Sequence, residues 1–279
     1  MIKSLRKLVR DALTEDIGQE DVTTNQTVPA NARCEARLMA KQDGVLSGIE
    51  AFRTVFDSMH AGVKDWGALP PGTRFSNGDE IATFTGNTRA VLTGERTAMN
   101  LVQHLSGIAT LTAQYVEAVK NLDVRICDTR KTTPLLRRLE KAAVVHGGGT
   151  NHRHTLFNGV VIKENHIVAA GGIENAIERA VEGTHHLMKI EVEVTNLDEF
   201  AAALKAGTDV IMLDNMSLKD MRKAVEMRGQ KNIVLEASGN ATIDRVRAMA
   251  KTGVDVISVG ALTHSAPAAD LSLLISANG

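Results

Sequence analysis

Residues 209–259 read DVIMLDNMSLKDMRKAVEMRGQKNIVLEASGNATIDRVRAMAKTGVDVISV. Three short apolar runs recur in this stretch, at 209–213, 232–236 and 255–259. The segments between them, 218–227 and 242–252, carry their apolar residues at helical spacing. Strands that alternate with helices along a chain form parallel sheets. The stretch therefore predicts consecutive βα units.

The same alternation extends upstream of residue 209. Apolar runs that predict strands lie at 124–128, 160–164 and 187–194, and an amphipathic segment covers 197–206. Six such strands with intervening helices predict a parallel α/β barrel of six or seven strands. We assign this barrel to residues 105–265.

The first hundred residues have a different pattern. Residues 33–41 alternate apolar and polar side chains, which is typical of a half-exposed strand. A further strand at 80–84 and a helix over 50–60 indicate a small α/β domain over residues 1–104, with the tail 266–279 packed on it. The N-terminus has helical spacing, and residues 15–24 are predicted to form a polar linker. Between 95 and 119 the spacing is helical, and we expect Gly107 to divide that segment into two helices.

The composition restricts the class of protein. The chain has 279 residues, 43% of them hydrophobic, and a net charge of −1, which argues against general nucleic-acid binding. No segment approaches the ~18 uninterrupted apolar residues of a membrane span. Cys34 and Cys127 are far apart and lie in apolar runs, so we expect buried free thiols. We expect a cytoplasmic protein.

Polar or small residues follow every predicted barrel strand. These strand ends carry 128–131, 163–166, Glu191 with Glu193, Asp214 with Asn215, Glu236 with 238–240, and Ser258 with 260–261. In α/β barrels the active site lies at the carboxyl ends of the strands. The sequence therefore predicts an active site formed by these residues.

Cations are concentrated between residues 128 and 166, in a chain with 32 basic and 33 acidic residues. Such a cluster could be a solvated face, a nucleic-acid patch or a pocket for a small anion. Phe157 is the one aromatic residue in it, whereas single-stranded nucleic-acid sites need stacking aromatics. We favour a pocket for a small polyanion, because arginine binds carboxylates and phosphates through paired donors.

Several of these residues have alternative interpretations. Lys163 could form a structural ion pair with Glu193 or Asp214, or could be the nucleophile of a Schiff-base aldolase. His152 and His154 have the spacing of a metal pair, although no third ligand is close in sequence. Arg96, at the start of a predicted helix, could be only a surface ion-pair partner.

Nine sequence blocks resemble the quinolinate phosphoribosyltransferase family, in the order of that family. They are EDIGQEDVTT, GERTAMNLVQHLSGIAT, DTRKTTP, GGGTNHR, VIKENHI, IEVEV, VIMLDNM, LEASGN and ISVGALTHS. The resemblance implies an N-terminal α/β sandwich and a C-terminal open α/β barrel of the type II phosphoribosyltransferase kind. It also implies a homodimer or larger oligomer, and a reaction that joins quinolinate to phosphoribosyl pyrophosphate with loss of CO2 and pyrophosphate.

The resemblance implies roles for particular residues. Catalytic roles fall to Lys131, Lys163, Glu193 and Asp214. The quinolinate pocket would comprise Thr129, Arg130, Lys131, His152, Arg153 and Lys163, with Arg96 from the neighbouring subunit. The phosphoribosyl group would meet Glu193, Asp214, Ser238, Gly239, Asn240, Val259, Gly260 and Ala261. Glu193 and Asp214 would hold Mg²⁺ through substrate and water oxygens.

Four positions depart from the family pattern. Leu135 and Thr155 stand where glycine is common, Ala142 replaces a common tyrosine, and Asn158 replaces an aspartate. None of them removes a charged substrate ligand. A molybdenum-operon paralogue of the same fold, acting on another ligand, is the alternative function.

Overall fold

The computed structural model describes residues 2–277 of the chain. Its first part contains four helices and five strands, which follow one another as α1 Ile2–Ile17, α2 Val22–Thr27, β1 Arg33–Ala40, β2 Gly44–Val45, α3 Ile49–Ser58, β3 Lys64–Ala68, β4 Arg74–Phe75, β5 Glu80–Asn87 and α4 Thr88–Ala118.

The remainder alternates strands and helices. The elements are β6 Arg125–Cys127, α5 Arg137–His146, a 3₁₀ helix Leu156–Asn158, β7 Val160–Ile162, α6 Glu164–Ala170, α7 Ile173–Gly183, β8 Ile190–Val194, α8 Leu197–Ala206, β9 Val210–Asp214, α9 Leu218–Arg228, β10 Val234–Ser238, α10 Ile243–Ala250, β11 Val256–Ser258, α11 Ala261–His264 and β12 Leu271–Ala277.

The chain forms two compact units. The first comprises residues 1–111, 134–148 and 266–279, and the second comprises 112–133 and 149–265. The sequence prediction instead placed one boundary at residue 104 and kept 134–148 with the barrel. That assignment of domains stays a prediction, since compactness alone does not define a domain.

The first unit is built on an antiparallel sheet with the strand order β12-β1-β5-β3. The predicted alternation along β1 is confirmed, because Cys34, Ala36, Leu38 and Ala40 are buried. Phenylalanine side chains of α3 and β5 pack edge-to-face or tilted in the core of this unit. These contacts bury the apolar face of the sheet under α3.

Two predictions for the N-terminal part are wrong. The segment predicted as a polar linker contains helix α2, which begins after Asp21 because that carboxylate accepts the backbone N–H of Thr24. Helix α4 is continuous through Gly107. Gly107 is needed for close packing, since a Cβ atom there would lie 2.0 Å from the carbonyl oxygen of Pro267.

We expect Gly107→Ala to destabilise the protein by at least ~2 kcal/mol, because the added methyl group overlaps backbone that cannot rotate away. Urea unfolding of the purified variant measures this change. Gly183→Ala is the matched control, since Gly183 also lies in a helix but has no atom within 4 Å of the position that a methyl group would occupy. Equal stability of the two variants would contradict the packing role of Gly107.

The second unit is built on a parallel sheet with the order β6-β11-β10-β9-β8-β7. Within the described residues, the six predicted strands are all present and β6 is not paired with β7, so the barrel is open. The outward positions of the strands, such as Val192, Ile211 and Leu235, are buried. The alternate positions carry polar side chains into the barrel interior.

Candidate active site

A cavity of about 600 Å³ lies at the carboxyl ends of the barrel strands. Eleven of the residues predicted from the sequence line it together: Thr129, Arg130, Lys131, His152, Arg153, Lys163, Glu193, Asp214, Ser238, Gly239 and Asn240. These residues come from the ends of five strands and from the segment 149–153. The parallel topology brings them together because every strand ends at the same side of the sheet.

Lys163 and Glu193 form an ion pair across neighbouring strands β7 and β8. The Nζ atom of Lys163 lies 2.6 Å from Oε2 of Glu193, and about half of the lysine side chain is exposed. The ion pair of Lys163 with Glu193 that the sequence allowed is therefore present, and a purely structural role for it stays an untested alternative. Asp214, at the end of β9, accepts a hydrogen bond from the side chain of Asn215 at 2.8 Å.

Buried Asp128, the residue after β6, holds the segment that carries His152 and Arg153. Its carboxylate accepts the backbone N–H of His152 at 2.9 Å and the amide of Asn151 at 2.6 Å. Arg153 donates to the carbonyl oxygen of Gly159 at 2.7 Å. Burial lowers the pKa of Arg153, and the nearby positive charge of Arg130 lowers it further. This side of the cavity is therefore ready to receive an anion.

The end of β10 forms a turn of unusual backbone conformation. Gly239 and Asn240 both have positive φ, as does Asn215 at the neighbouring strand end. A Cβ atom on Gly239 would lie 2.2 Å from the side-chain oxygen of Asn215, so no other residue fits without displacing that side chain. Such strained turns with exposed backbone amides are common where a protein binds phosphate.

Four predicted residues do not line the cavity. Val259 is buried, and its N–H donates to the carbonyl oxygen of Cys127. Gly260 lies beside Lys131, since a Cβ atom there would be 3.1 Å from the lysine Cδ. Ala261 begins α11. Arg96 is an exposed residue of α4 in the other unit. Their roles stay predictions.

Sequence reasoning did not pair His152 with two acids of the barrel interior. Glu191 and Glu236 are buried, and Nε2 of His152 lies 3.0 Å from Oε2 of Glu191 and 3.9 Å from Oε1 of Glu236. The sequence feature that could have indicated this cluster is that both glutamates lie within largely apolar strands. His154 is not part of this group of three, and the metal pair of His152 with His154 stays an untested alternative from the sequence.

An open parallel α/β barrel with cations, acids and a glycine turn around one cavity defines an enzyme for small anionic substrates. Residues 108–274 match the model of the quinolinate phosphoribosyl transferase C-terminal domain, and residues 21–106 match that of its N-terminal domain. The chain belongs to the quinolinate phosphoribosyl transferase family.

Relatives match the chain over nearly its whole length. A probable nicotinate-nucleotide pyrophosphorylase (carboxylating) of Bacillus subtilis is 40% identical, covering 96% of this chain and 92% of that protein. The corresponding protein of Mycobacterium leprae is 39% identical, covering 96% of each. The structure of nicotinate-nucleotide pyrophosphorylase from Francisella tularensis superposes with a TM-score of 0.92 at 38% identity, covering 98% of this chain and 96% of that one. The fold predicted from the sequence is thereby confirmed.

Two further sequence predictions can be compared with the described residues. Cys34 and Cys127 are buried free thiols, as predicted. None of the described helices is long and apolar enough to cross a bilayer.

Leu135, which replaces a common glycine, is 87% exposed and has a φ of 68°, so the position keeps the left-handed backbone that glycine favours.

Proposed function

We propose that this chain transfers the phosphoribosyl group of phosphoribosyl pyrophosphate to quinolinate with decarboxylation. The products are nicotinate mononucleotide, pyrophosphate and CO2, and the reaction belongs to de novo NAD biosynthesis. The observation that carries the proposal is the cavity in which the cations of β6 and β7 face the acids of β8 and β9 and the glycine turn of β10. Membership of the family supports the same reaction.

The cations hold the diacid in this proposal. Arg130, Lys131, Arg153 and Lys163 line one side of the cavity, and the ring of His152 lies beside them. Two carboxylates on adjacent ring carbons need several donors, and arginine offers paired ones. Thr129 contributes by position, because its hydroxyl accepts the backbone N–H of Lys131 at 3.0 Å and fixes the turn.

Glu193 and Asp214 face the reacting ribose carbon. Loss of pyrophosphate leaves positive charge on that carbon, and fixed carboxylates stabilise developing positive charge. The pyridine nitrogen then forms its bond to the ribose. Once the nitrogen is quaternary, the ring accepts the electron pair of the C–C bond that breaks, CO2 leaves, and the ring carbon takes up a proton.

Mg²⁺ fits the same two acids. Their carboxylate oxygens are ligands that magnesium prefers, and both line the cavity from adjacent strands. In the described residues the two acids do not belong to a protein-only group of three ligands. They would therefore hold the ion together with substrate and water oxygens, and bound Mg²⁺ would neutralise charge on the departing pyrophosphate.

The phosphate of the ribosyl group would lie at Ser238, Gly239 and Asn240. Gly239 has no Cβ atom, so an anion can approach the backbone amides of this turn closely. Gly260 and Ala261 lie at the start of α11 and would form the rest of this phosphate site, together with Val259, which precedes them.

The proposed protein is a cytoplasmic homodimer or larger homo-oligomer in which Arg96 enters the neighbour's site. Arg96 is exposed, and its side chain makes no hydrogen bond or ion pair within the described part of its own chain. Large apolar side chains of the barrel unit are also exposed, namely Leu156, Phe157, Val168 and Leu187. Exposed apolar residues of this size are common where subunits associate. The free cysteines fit a reducing compartment.

The aldolase alternative is disfavoured by the ion pair of Lys163 with Glu193. A Schiff-base lysine must present its amine to a carbonyl carbon, whereas Nζ of Lys163 donates a hydrogen bond to Oε2 of Glu193 at 2.6 Å. The molybdenum-operon alternative differs in the ligand, so substrate preference distinguishes it.

We expect quinolinate to be preferred over nicotinate by more than tenfold in kcat/KM. Nicotinate lacks one carboxylate, so it would leave cations of the cavity unpaired, at a cost of at least ~2 kcal/mol. Steady-state assays with Mg²⁺ and phosphoribosyl pyrophosphate measure both substrates. Equal efficiencies would contradict the diacid pocket, and no activity with either would favour the paralogue.

A further inference from the structure

The buried acids Glu191 and Glu236 form a pair inside the barrel. Their residues are 6% and 4% exposed. Among the described residues, the Oε1 atom of each has no hydrogen-bond partner. His152 is the shared neighbour, with Nε2 at 3.0 Å from Glu191 and 3.9 Å from Glu236. Two buried carboxylates this close to one imidazole cannot both be ionised without a large cost in free energy.

The imidazole of His152 supplies only one donor to this pair. Its Nδ1 accepts the backbone N–H of Arg153 at 2.7 Å, which assigns the proton of a neutral ring to Nε2. That proton points at Glu191, the closer acid. Glu236 has the hydroxyl of Ser258 as a donor, but its Oε1 atom has no hydrogen-bond partner among the described residues. A proton on Glu236 removes the charge that this partnerless oxygen would otherwise share.

The same tautomer disfavours a metal ion at this cluster. His152, Glu191 and Glu236 have the separations of a metal site. A metal ion, however, would need the lone pair of Nε2, which the protonated nitrogen does not offer. Arg130, Arg153 and Lys163 line the adjoining cavity and repel a cation.

Burial and, second, the negative charge of Glu191 raise the pKa of Glu236 to about 7, although His152, Ser258 and Lys163 oppose the rise. These groups lie in four parts of the barrel: Glu191 on β8, Ser258 on β11, Lys163 after β7 and His152 in the segment after Gly149. On β9 the residue paired with Glu236 is the uncharged Met212.

Glu236 also faces two cavities. A second cavity of about 450 Å³ lies at the amino ends of the strands, and Glu236 and His152 line both it and the catalytic cavity. A carboxyl group that borders two cavities can exchange its proton with solvent. Because Glu236 borders the catalytic cavity, a charge bound in that cavity also changes its protonation.

We propose that Glu236 takes up a proton when the diacid binds, and thereby limits tight quinolinate binding to the pH range in which it is protonated. The inference rests on the proposed function for the identity of the diacid. Two added negative charges in the cavity disfavour a third on Glu236, so the bound complex retains the proton to a higher pH than the free protein.

The expected pH dependence follows from the raised pKa. Below pH 7 Glu236 is already protonated in the free protein. In that range, Glu236 therefore causes no change of quinolinate affinity with pH. Above pH 7 the free protein must regain the proton, so the dissociation constant rises up to tenfold per pH unit until the pKa of the complex is reached.

Calorimetry of quinolinate binding tests the inference without turnover. The EDTA-treated protein is titrated with quinolinate between pH 6 and 9 in two buffers of different ionisation enthalpy. We expect the number of protons taken up per quinolinate bound to rise from near zero at pH 6 toward one at pH 8. Glu236→Gln should abolish the uptake and bind quinolinate at least ~10-fold more tightly than the unmodified protein at pH 8.5. Glu226→Gln, an exposed residue of α9, is the control and should keep the uptake.

The outcomes separate the inference from the proposed function. If no variant binds quinolinate at any pH, the proposed function fails and the inference with it. Binding without proton uptake, or uptake that persists in Glu236→Gln, overturns the inference alone. Uptake seen only before EDTA treatment would assign the cluster to a metal ion and also overturn it. Should Glu236→Gln not fold, Glu191→Gln must shift the midpoint of uptake to lower pH, and an unchanged midpoint overturns the inference.

Discussion

Asp214→Asn is expected to lower turnover by ~100-fold or more while leaving quinolinate affinity nearly unchanged. The substitution keeps the shape of the side chain at the end of β9 but removes its negative charge. In the proposed mechanism that charge stabilises the ribosyl cation, which forms only after pyrophosphate begins to leave. In the proposed mechanism the diacid contacts the cations that follow β6 and β7, which line the same cavity, so its binding should not depend on Asp214.

Turnover is measured with saturating quinolinate and phosphoribosyl pyrophosphate, and affinity by calorimetry with quinolinate alone. Asp198→Asn is the matched control, because this aspartate is exposed in the first turn of α8 and does not line the cavity. It should leave turnover unchanged. Normal turnover of Asp214→Asn would mean that the acid has a structural role, and the mechanism would be wrong.

Arg96→Ala and Lys163→Ala are each expected to be nearly inactive as purified proteins, yet to regain activity when mixed. Each homodimer lacks one cation in every site. If Arg96 serves the neighbour's site, a mixed dimer has one site with both defects and one with none. Half of the dimers are mixed after random exchange, so about a quarter of the unmodified activity should return.

The two variants are unfolded together, refolded and assayed, and native mass spectrometry of differently tagged chains verifies the exchange. Refolding each variant alone is the control and should restore nothing. If the chains exchange and no activity returns, Arg96 acts within its own chain or has only a structural role.

The ends of the barrel strands could be predicted from the sequence because each apolar run stops at a polar or small residue. Since parallel strands end on one side, Lys163, Glu193 and Asp214 were expected to meet, and they line one cavity. The first and last residues of each strand were harder to predict. The run 187–194 predicted a longer strand than β8, which begins at Ile190, because apolar character alone does not separate a strand from the loop before it.

The pairing of His152 with Glu191 and Glu236 could not be predicted. It depends on the register of the sheet, in which Glu236 pairs with Met212 and Glu193 pairs with that same residue from the other side. It also depends on Asp128, which fixes the backbone of His152. The nearer of the two glutamates is 39 positions from His152 along the chain, and no local pattern encodes such a contact.

Gly107 shows the opposite kind of error. Glycine in a helical pattern usually weakens the helix, so a break was the expectation. The structure keeps the helix continuous because the missing side chain makes room for Pro267, a residue at the far end of the chain. A glycine required by tertiary packing has the same sequence signature as one that ends a helix.

The most direct test of the account is the stoichiometry of the complete reaction. The protein is incubated with Mg²⁺, phosphoribosyl pyrophosphate and quinolinate labelled in its 2-carboxyl group, and the products are quantified together. We predict one labelled CO2 and one pyrophosphate for each nicotinate mononucleotide, with none of the three formed when quinolinate is omitted. Pyrophosphate release without the mononucleotide, or transfer without loss of the label, would contradict the proposed function.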